Sequence, residues 1–413
     1  MSSLRYRPLS NPLLRNALAA SANQLSNFLP LLLTPILALR LGLEEFGTSA
    51  VVLSLIQLSF VITDFGYTLS TTHRIAQNRT NKNLINSIIG AVLVGKIPLT
   101  TISVTITLAF PWIATDYSGH WPLFALASLA IVGQSYQMNW LFQGLEQLQV
   151  VTHYMISTKI LYILLIVIFV QSPDDSYLVI LGWGLTQILA AILSLRSTYG
   201  AGFSLKLPSL GETLEETKLA FPFFTSRIAV ASYTSATTIL VGISGQQQAA
   251  CFYACQQIYK IGSALPVNQV LYPYMAKTKN WRVFYIITTC SGGILSVTAI
   301  TAAIYSEALL PILLGSQPPG ANASLTFITF LAATVFSYFA VAFGYPALCA
   351  VNALHKANSS VIYAATINLT IILTLYLTNT LSALTAALSV LATELIVLLL
   401  RVFYLFQEKS KNR

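Results

Sequence analysis

The sequence predicts an all-α polytopic membrane protein, with twelve transmembrane helices in two six-helix bundles around a central cavity. Three observations carry that expectation. The 413-residue chain is 55% hydrophobic and only 8% charged, against about 25% charged residues in soluble proteins. Stretches with no ionisable side chain cover 97–115, 177–195, 228–259 and 357–393, and the last two are each long enough for most of a pair of spans at about 20 residues per crossing. Barrel strands would read instead as short alternating segments. Lastly, the basic residues fall in alternate connections, as the positive-inside rule requires.

The expected spans are 17–40, 46–70, 84–113, 121–143, 151–170, 177–196, 218–242, 249–274, 283–305, 325–349, 359–377 and 381–404. The first is too long for a signal-peptide core and reads as a retained span. With both termini on the cytoplasmic side, 17 of the 22 Lys and Arg residues lie on that side, among them Arg74, Arg79, Lys82, Lys206 and Arg401. The opposite connections carry Asp116, Asp174, Asp175 and Glu307. The net charge of +9 is therefore a topological signature and does not call for nucleic acid. The longest inner connection sits mid-chain, dividing the chain into 1–200, a linker at 201–217, and 218–413. Equal span counts on either side predict a two-repeat transporter plan.

Several function classes drop out. The triplet Asp64-Phe65-Gly66 spells the magnesium motif of protein kinases, but no Gly-rich loop, catalytic-loop motif or soluble lobe accompanies it. No G-x-x-x-x-G-K-[ST] occurs, so transport must proceed without an ATPase of its own. No cofactor is expected. Cys251, Cys255, Cys290 and Cys349 lie in apolar stretches without His or carboxylates beside them, and read as small buried hydrophobes rather than metal ligands. A membrane glycan polymerase or ligase, the enzyme alternative, would need a sizeable soluble loop that these spacings do not leave.

Ionisable groups at membrane depth cost about 2.5 kcal/mol or more and usually face a polar cavity. Asp64, Lys96, Arg227, Lys260 and Glu394 are the candidates. Gln57, Asp64, Thr68 and Thr71 fall near one helical face. In YACQQIYK, Tyr253, Gln256, Gln257 and Lys260 stand at i, i+3, i+4 and i+7, which predicts a face offering a ring, two amides and an ammonium. Tyrosine stacks on sugar rings, amides bond hydroxyls, and lysine pairs with phosphate. Arg227, beyond Pro222, offers a bidentate fork for phosphate or a snorkelling anchor. Lys96 lies about 18 Å along its helix from Leu84 at about 1.5 Å per residue, just before Pro98. Glu394 is a candidate proton carrier. Bases outnumber acids in these spans, and Arg40 adds to them near the outer end, so the cavity should prefer an anionic cargo. Prolines 30, 35, 98, 222, 266 and 346 offer bending points within the spans.

The stretch ILALRLGLEEFGTSAVVLSLIQLSFVITDFGYTLSTTHRIA, residues 36–76, resembles the start of bacterial polysaccharide transporters of the Wzx type. Arg40, Gly42 and Phe46-Gly47 match that family's turn between spans one and two; Asp64-Phe65-Gly66 and Arg74 follow. AFPFFTSRIAVASYTSATTILVG and then FYACQQIYKI are similar to its second-half opening. Leu43 stands where the family often has Pro. The resemblance implies the multidrug/oligosaccharidyl-lipid/polysaccharide exporter fold in the bacterial inner membrane. It implies a flippase for an undecaprenyl-diphosphate-linked oligosaccharide such as an O-antigen unit, working by alternating access. The charges and helix faces read above, rather than the resemblance, give Lys260, Arg227, Lys96, Arg40, Tyr253, Gln256 and Gln257 as its expected substrate-binding residues. Asp64 or Glu394 would couple to protons or sodium, and a glycan polymerase and chain-length regulator would be partners. The alternative within the same fold is a small-solute or drug exporter, although a cationic cavity disfavours cationic drugs.

Overall fold

The computed structural model describes residues 29–263, 267–315 and 322–411, and among them every element of regular structure is a helix. The helices are α1 (Leu29–Asp64), α2 (Tyr67–Gln77), α3 (Lys82–Ile113), α4 (Trp121–Ser135), α5 (Asn139–Gly144), α6 (Leu148–Phe169), α7 (Ser176–Gly200), α8 (Leu210–Tyr233), α9 (Ser235–Ser244), α10 (Gln246–Ser263), α11 (Val267–Thr278), α12 (Trp281–Ile304), α13 (Ser306–Leu314), α14 (Ala323–Phe343), α15 (Tyr345–Ala350), α16 (Leu354–Leu377) and α17 (Ala383–Lys411). Among the described residues eight helical stretches are long and apolar enough to cross a membrane. The chain is thus a multi-span membrane protein.

The expected spans recur as helices, several of them in two pieces. Gly42, at φ 72° and ψ 169°, interrupts α1. Leu33 and Gln57, which would stand about 36 Å apart on one straight helix, line a common cavity, so the chain folds back at this glycine and spans one and two are its arms. Span two breaks again at Phe65 and Gly66, both at positive φ. A Cβ on Gly66 would lie 2.4 Å from the carbonyl oxygen of Ala220, so glycine satisfies both the left-handed backbone and the close approach of α8. Span four divides into α4 and α5, span seven into α8 and α9 at Thr234, and span ten into α14 and α15 at Gly344.

The prolines mostly do not mark these breaks. Pro35, Pro98 and Pro222 lie inside continuous helices, while Pro346 starts α15, where its missing N–H costs nothing. Pro266 and the side chain of Pro30 lie outside the described residues, as does 17–28 of the first expected span. Span seven begins earlier than expected because Ser209 and Glu212 form a capping box: Glu212 N–H donates to Ser209 Oγ at 3.2 Å and Ser209 N–H to Glu212 Oε2 at 2.7 Å. The connection around Glu307, expected as a loop, carries the short helix α13. Cys251, Cys255 and Cys349 are buried as expected, but Cys290 is exposed on α12, on an outward face that also carries exposed Ile286, Ile294 and Val297.

Packing repeats along the chain. The α4 helix packs on α7 as α14 packs on α17, and α2 packs on α5 as α11 packs on α15. Asn81 caps α3 through Leu84 N–H (3.1 Å) as Asn280 caps α12 through Val283 N–H (3.3 Å). Helix direction alternates, so Arg74, Arg79, Lys82 and Lys206 gather at one end of the molecule, here the basic end. Glu45, Asp116 and His120 gather at the other.

Candidate functional site

Between the first and second halves of the chain lie two adjoining cavities that share Gln57 and Lys260. The larger holds about 570 Å³ and reaches Arg227 and Tyr233 on α8, Tyr259 and Lys260 on α10, Asn358 on α16, and Glu394 and Arg401 on α17. The smaller holds about 280 Å³ and is lined by Gln57 on α1, Lys159 and Tyr162 on α6, Trp183 on α7, and Tyr253, Gln257 and Lys260 on α10.

The expected face of α10 is therefore mostly present. Tyr253, Gln257 and Lys260 turn inward, with the Lys260 ammonium 5.6 Å from the centre of the Tyr253 ring, a cation–π distance. Gln256 turns away. Its Nε2 donates to the carbonyl of Thr234, the residue at the break between α8 and α9, at 3.1 Å. At 100° per residue, Gln256 falls 60° to one side of Tyr253 and Gln257 40° to the other, so the two amides serve different neighbours.

Arg227 lines the larger cavity and forms an ion pair with Asp64, which lies at the end of α1. Asp64 also accepts from the hydroxyl and backbone N–H of Thr68, one turn beyond the break. The polar stripe expected through Gln57, Asp64, Thr68 and Thr71 is rotated by that break: Gln57 reaches the cavities, and the other three do not line them. Glu394 lines the larger cavity and accepts from the Tyr259 hydroxyl at 2.5 Å.

Two expected cations lie elsewhere. Lys96 is only 3% exposed and donates to the Ser135 carbonyl at 2.9 Å, at the end of α4. Arg40 donates to the Val167 and Val170 carbonyls, both at 2.7 Å, and so caps the end of α6. Each satisfies C-terminal carbonyls that the helix cannot bond itself. Neither lines the two cavities.

One cavity residue was read differently from sequence. Arg401 sits at the end of span twelve and reads as one of the inner-side anchors, yet it is 6% exposed and lines the larger cavity. Its guanidinium donates to Ser360 Oγ (3.0 Å) and to the Ala340 (2.6 Å) and Ala357 (3.2 Å) carbonyls. Lys159 and Trp183, not singled out from the sequence, also prove to be lining residues. The hydropathy pattern gives no sign of which way either points.

A family described as "Polysaccharide biosynthesis protein" matches residues 13–279, more than half of the chain. The chain belongs to the polysaccharide biosynthesis protein family. Among curated relatives, a "Putative O-antigen transporter" of Shigella dysenteriae is 27% identical over 265 residues, covering 62% of this chain and 66% of the relative. One of the same name from Escherichia coli (strain K12) is 28% identical over 272 residues, covering 64% and 65%. The match thus spans just under two thirds of either relative's length. Among solved structures, a lipid II flippase MurJ in an inward closed conformation superposes with a TM-score of 0.70 at 13% identity, covering 94% of this chain and 87% of that one. An inward-facing multidrug resistance MATE family transporter of the MOP superfamily superposes with a TM-score of 0.63 at 14% identity, covering 94% and 96%. At such identities the likeness concerns the fold: this member of the polysaccharide biosynthesis protein family has a transporter fold. Both relatives and both neighbours are named for transport or flipping, and none for an enzymatic reaction.

Proposed function

We propose that this protein is a flippase that carries an undecaprenyl-diphosphate-linked oligosaccharide, of the O-antigen or a related repeat-unit type, from the cytoplasmic to the periplasmic leaflet of the bacterial inner membrane. The observation that carries this reading is the pair of cavities between the halves, walled by Arg227, Arg401, Lys260 and Lys159 together with amides and phenols. Basic groups offer an anionic diphosphate complementary charge, and amides and hydroxyls suit a glycan. The transporters named above support the same reading.

The halves 1–200 and 218–413, joined across 201–217, would rock about these cavities while the lipid tail stays in the bilayer. The basic end would face the cytoplasm, with both termini there. Arg227, Lys260, Tyr253 and Gln257 would bind substrate. The two acidic candidates differ in suitability for proton coupling. Protonating Asp64 would strand the Arg227 cation bonded to it, whereas Glu394 bonds the neutral Tyr259 hydroxyl and meets Arg401 only as a fellow lining residue, so it can gain a proton without breaking a direct ion pair. Glu394 is therefore the better carrier and Asp64 the better latch. A small-solute exporter with this fold would draw its cargo through the same cavities, but their basic lining disfavours cationic drugs.

The test is the sidedness of the lipid-linked unit in cells lacking the protein, probed with a lectin or periodate at the outer face of the inner membrane. Flipping requires that units accumulate on the cytoplasmic leaflet and that re-expression moves them outward. Normal outward exposure with altered polymer length would instead point to a polymerase or ligase.

A further inference from the structure

Asp64 has counter-charges in both halves of the chain. Arg227, on α8 of the second half, bonds it directly. Lys96, on α3, belongs to the first half, as Asp64 does. Two charged groups act on the Lys96 ammonium: the Asp64 carboxylate, which attracts it, and the Arg227 guanidinium, which repels it. The α3 helix packs along α1. A Cβ on Gly95, next to Lys96, would fall 2.4 Å from the hydroxyl oxygen of Tyr67, three residues past Asp64. Lys96 is thus seated beside the break in span two, on the same body as the carboxylate.

The three groups differ in what happens to them when the halves part. Arg227 lines the larger cavity and leaves with α8. The Asp64 side chain is only 12% exposed, and a carboxylate left at membrane depth without a counter-charge is expensive. Lys96 is buried and stays. An ammonium carries three donors, and among the described residues Lys96 bonds one acceptor, the Ser135 carbonyl at 2.9 Å. The second half already holds such an arrangement at rest. Among the described residues Glu394 has no directly bonded cation, and the buried Arg401 guanidinium of the same half acts on it without bonding it. Arg401 spends a donor on the Ala340 carbonyl near the break in span ten, as Lys96 does on Ser135 at the break in span four.

We propose that Lys96 is the standby counter-ion of Asp64: as the basic end opens, it takes over the carboxylate that Arg227 leaves. Asp64 then exchanges a partner in the other half for one in its own. Arg227 is released to the cavity without a bare carboxylate remaining behind. Lys96 acts as a positioning residue of the transport cycle, through Asp64, and not as a substrate ligand. This role rests on the rocking of the halves in the flippase reading.

The test uses the purified full chain in lipid nanodiscs, without substrate. Cys290→Ser removes the exposed thiol. Spin labels on cysteines introduced at Asn83 of α3 and Leu214 of α8, both exposed at the basic end, report the separation of the halves. The parent should show a short and a long distance. Lys96→Gln keeps a donor for the Ser135 carbonyl but loses the charge, and should lower the long-to-short ratio about tenfold, the scale of one lost charge partner. Lys96→Arg should restore the ratio. In the Asp64→Asn background Lys96→Gln should have no effect, because no carboxylate needs compensating. Gel filtration and the thermal midpoint check the folding of each variant. Three results would overturn the proposal. If Lys96→Gln leaves the ratio unchanged, Asp64 does not depend on Lys96 in the open state. If Lys96→Gln lowers the ratio equally in both backgrounds, Lys96 serves only the end of α4. If every variant, Arg227→Ala included, shows the short distance alone, the halves do not part at this end and the rocking reading falls as well.

Discussion

The helix pair α8–α9 meets the first half of the chain at both ends of the molecule, and the two seams are made of different material. At the basic end α8 is stitched to α1, α2 and α3 by polar links. Arg227 pairs with Asp64, Arg74 with Glu216, and Ser87 donates to Glu212, while the hydroxyls of Tyr67 and Thr217 meet at 2.7 Å. At the opposite end α9 and α10 are pressed against α1 by shape. A Cβ on Gly47 would fall 1.9 Å from the Gln246 carbonyl oxygen, and one on Gly242 would fall 2.2 Å from Val51 Cγ2. The Tyr117 hydroxyl donates to the Gly242 carbonyl at 2.8 Å. Polar links can be exchanged for water one at a time as a seam opens, most readily where one partner is already partly exposed, as Arg227 is. A close-packed seam loses its dispersion contacts together. The basic end should thus open gradually, and the other end as a unit.

The sharpest way to break this contrast is to enlarge a glycine in the packed seam. Gly47→Leu or Gly242→Leu forces backbone or a fully buried neighbour to move, and overpacking of this kind costs about 1–3 kcal/mol or more. We expect a large drop in the thermal midpoint and labelling of an introduced cysteine near Val51 that is absent in the parent. An unchanged midpoint would mean that this seam is already loose.

A smaller effect is expected at the stitched end. Arg227→Ala leaves the Asp64 carboxylate without its ion partner. Breaking a fully buried pair costs about 3–5 kcal/mol, but the Arg227 side chain is 39% exposed, so about 1–2 kcal/mol is the reasonable scale after screening. Asp64→Asn combined with Arg227→Gln should recover part of the loss, and a double-mutant cycle on thermal unfolding measures the coupling. Additive losses would show that the pair does not latch the seam.

The smallest effect should be a pH response at Glu212, which lies outside the membrane spans. The Ser87 hydroxyl, followed by the backbone and side chain of Ser209, pulls its carboxyl down to about 2. A depressed carboxyl contributes stability above its unfolded value of about 4.3 and loses it as pH falls toward the folded value. Acidification from pH 5 to 3 should therefore loosen the basic end. Ser87→Ala should shift that response upward in pH, as followed by labelling of a cysteine placed near Thr213. Identical profiles with and without Ser87 would remove Glu212 from the seam.

Much of this architecture can be read in the sequence because bilayer crossing imposes long apolar runs with basic residues at alternate ends. The breaks within spans four, seven and ten are less legible, since Gln137, Thr234 and Gly344 interrupt helices without interrupting hydropathy. Among the site residues, Arg227, Lys260 and Glu394 stand out because charge within an apolar run is conspicuous. Arg401 does not, because an arginine near a span end looks like an interfacial anchor until the carbonyls of Ala340 and Ala357 are seen around it. Lys96 and Arg40 show the converse: equally conspicuous charges, spent on helix C-termini. Trp183 carries no charge signal at all, and only the folded chain shows its indole beside Tyr162.

The central claim is that the cavities between these seams pass a lipid-linked glycan. The most direct measurement is translocation of a fluorescent polyprenyl-diphosphate oligosaccharide in proteoliposomes containing the purified chain, with a membrane-impermeant quencher added outside. The account predicts that the quenchable fraction rises from the outer-leaflet share toward all of the probe, and that Lys260→Ala slows the rise while lipid without the glycosyl diphosphate is not moved. A quenchable fraction that stays at the outer-leaflet share, in vesicles where binding of the same probe is intact, would contradict it.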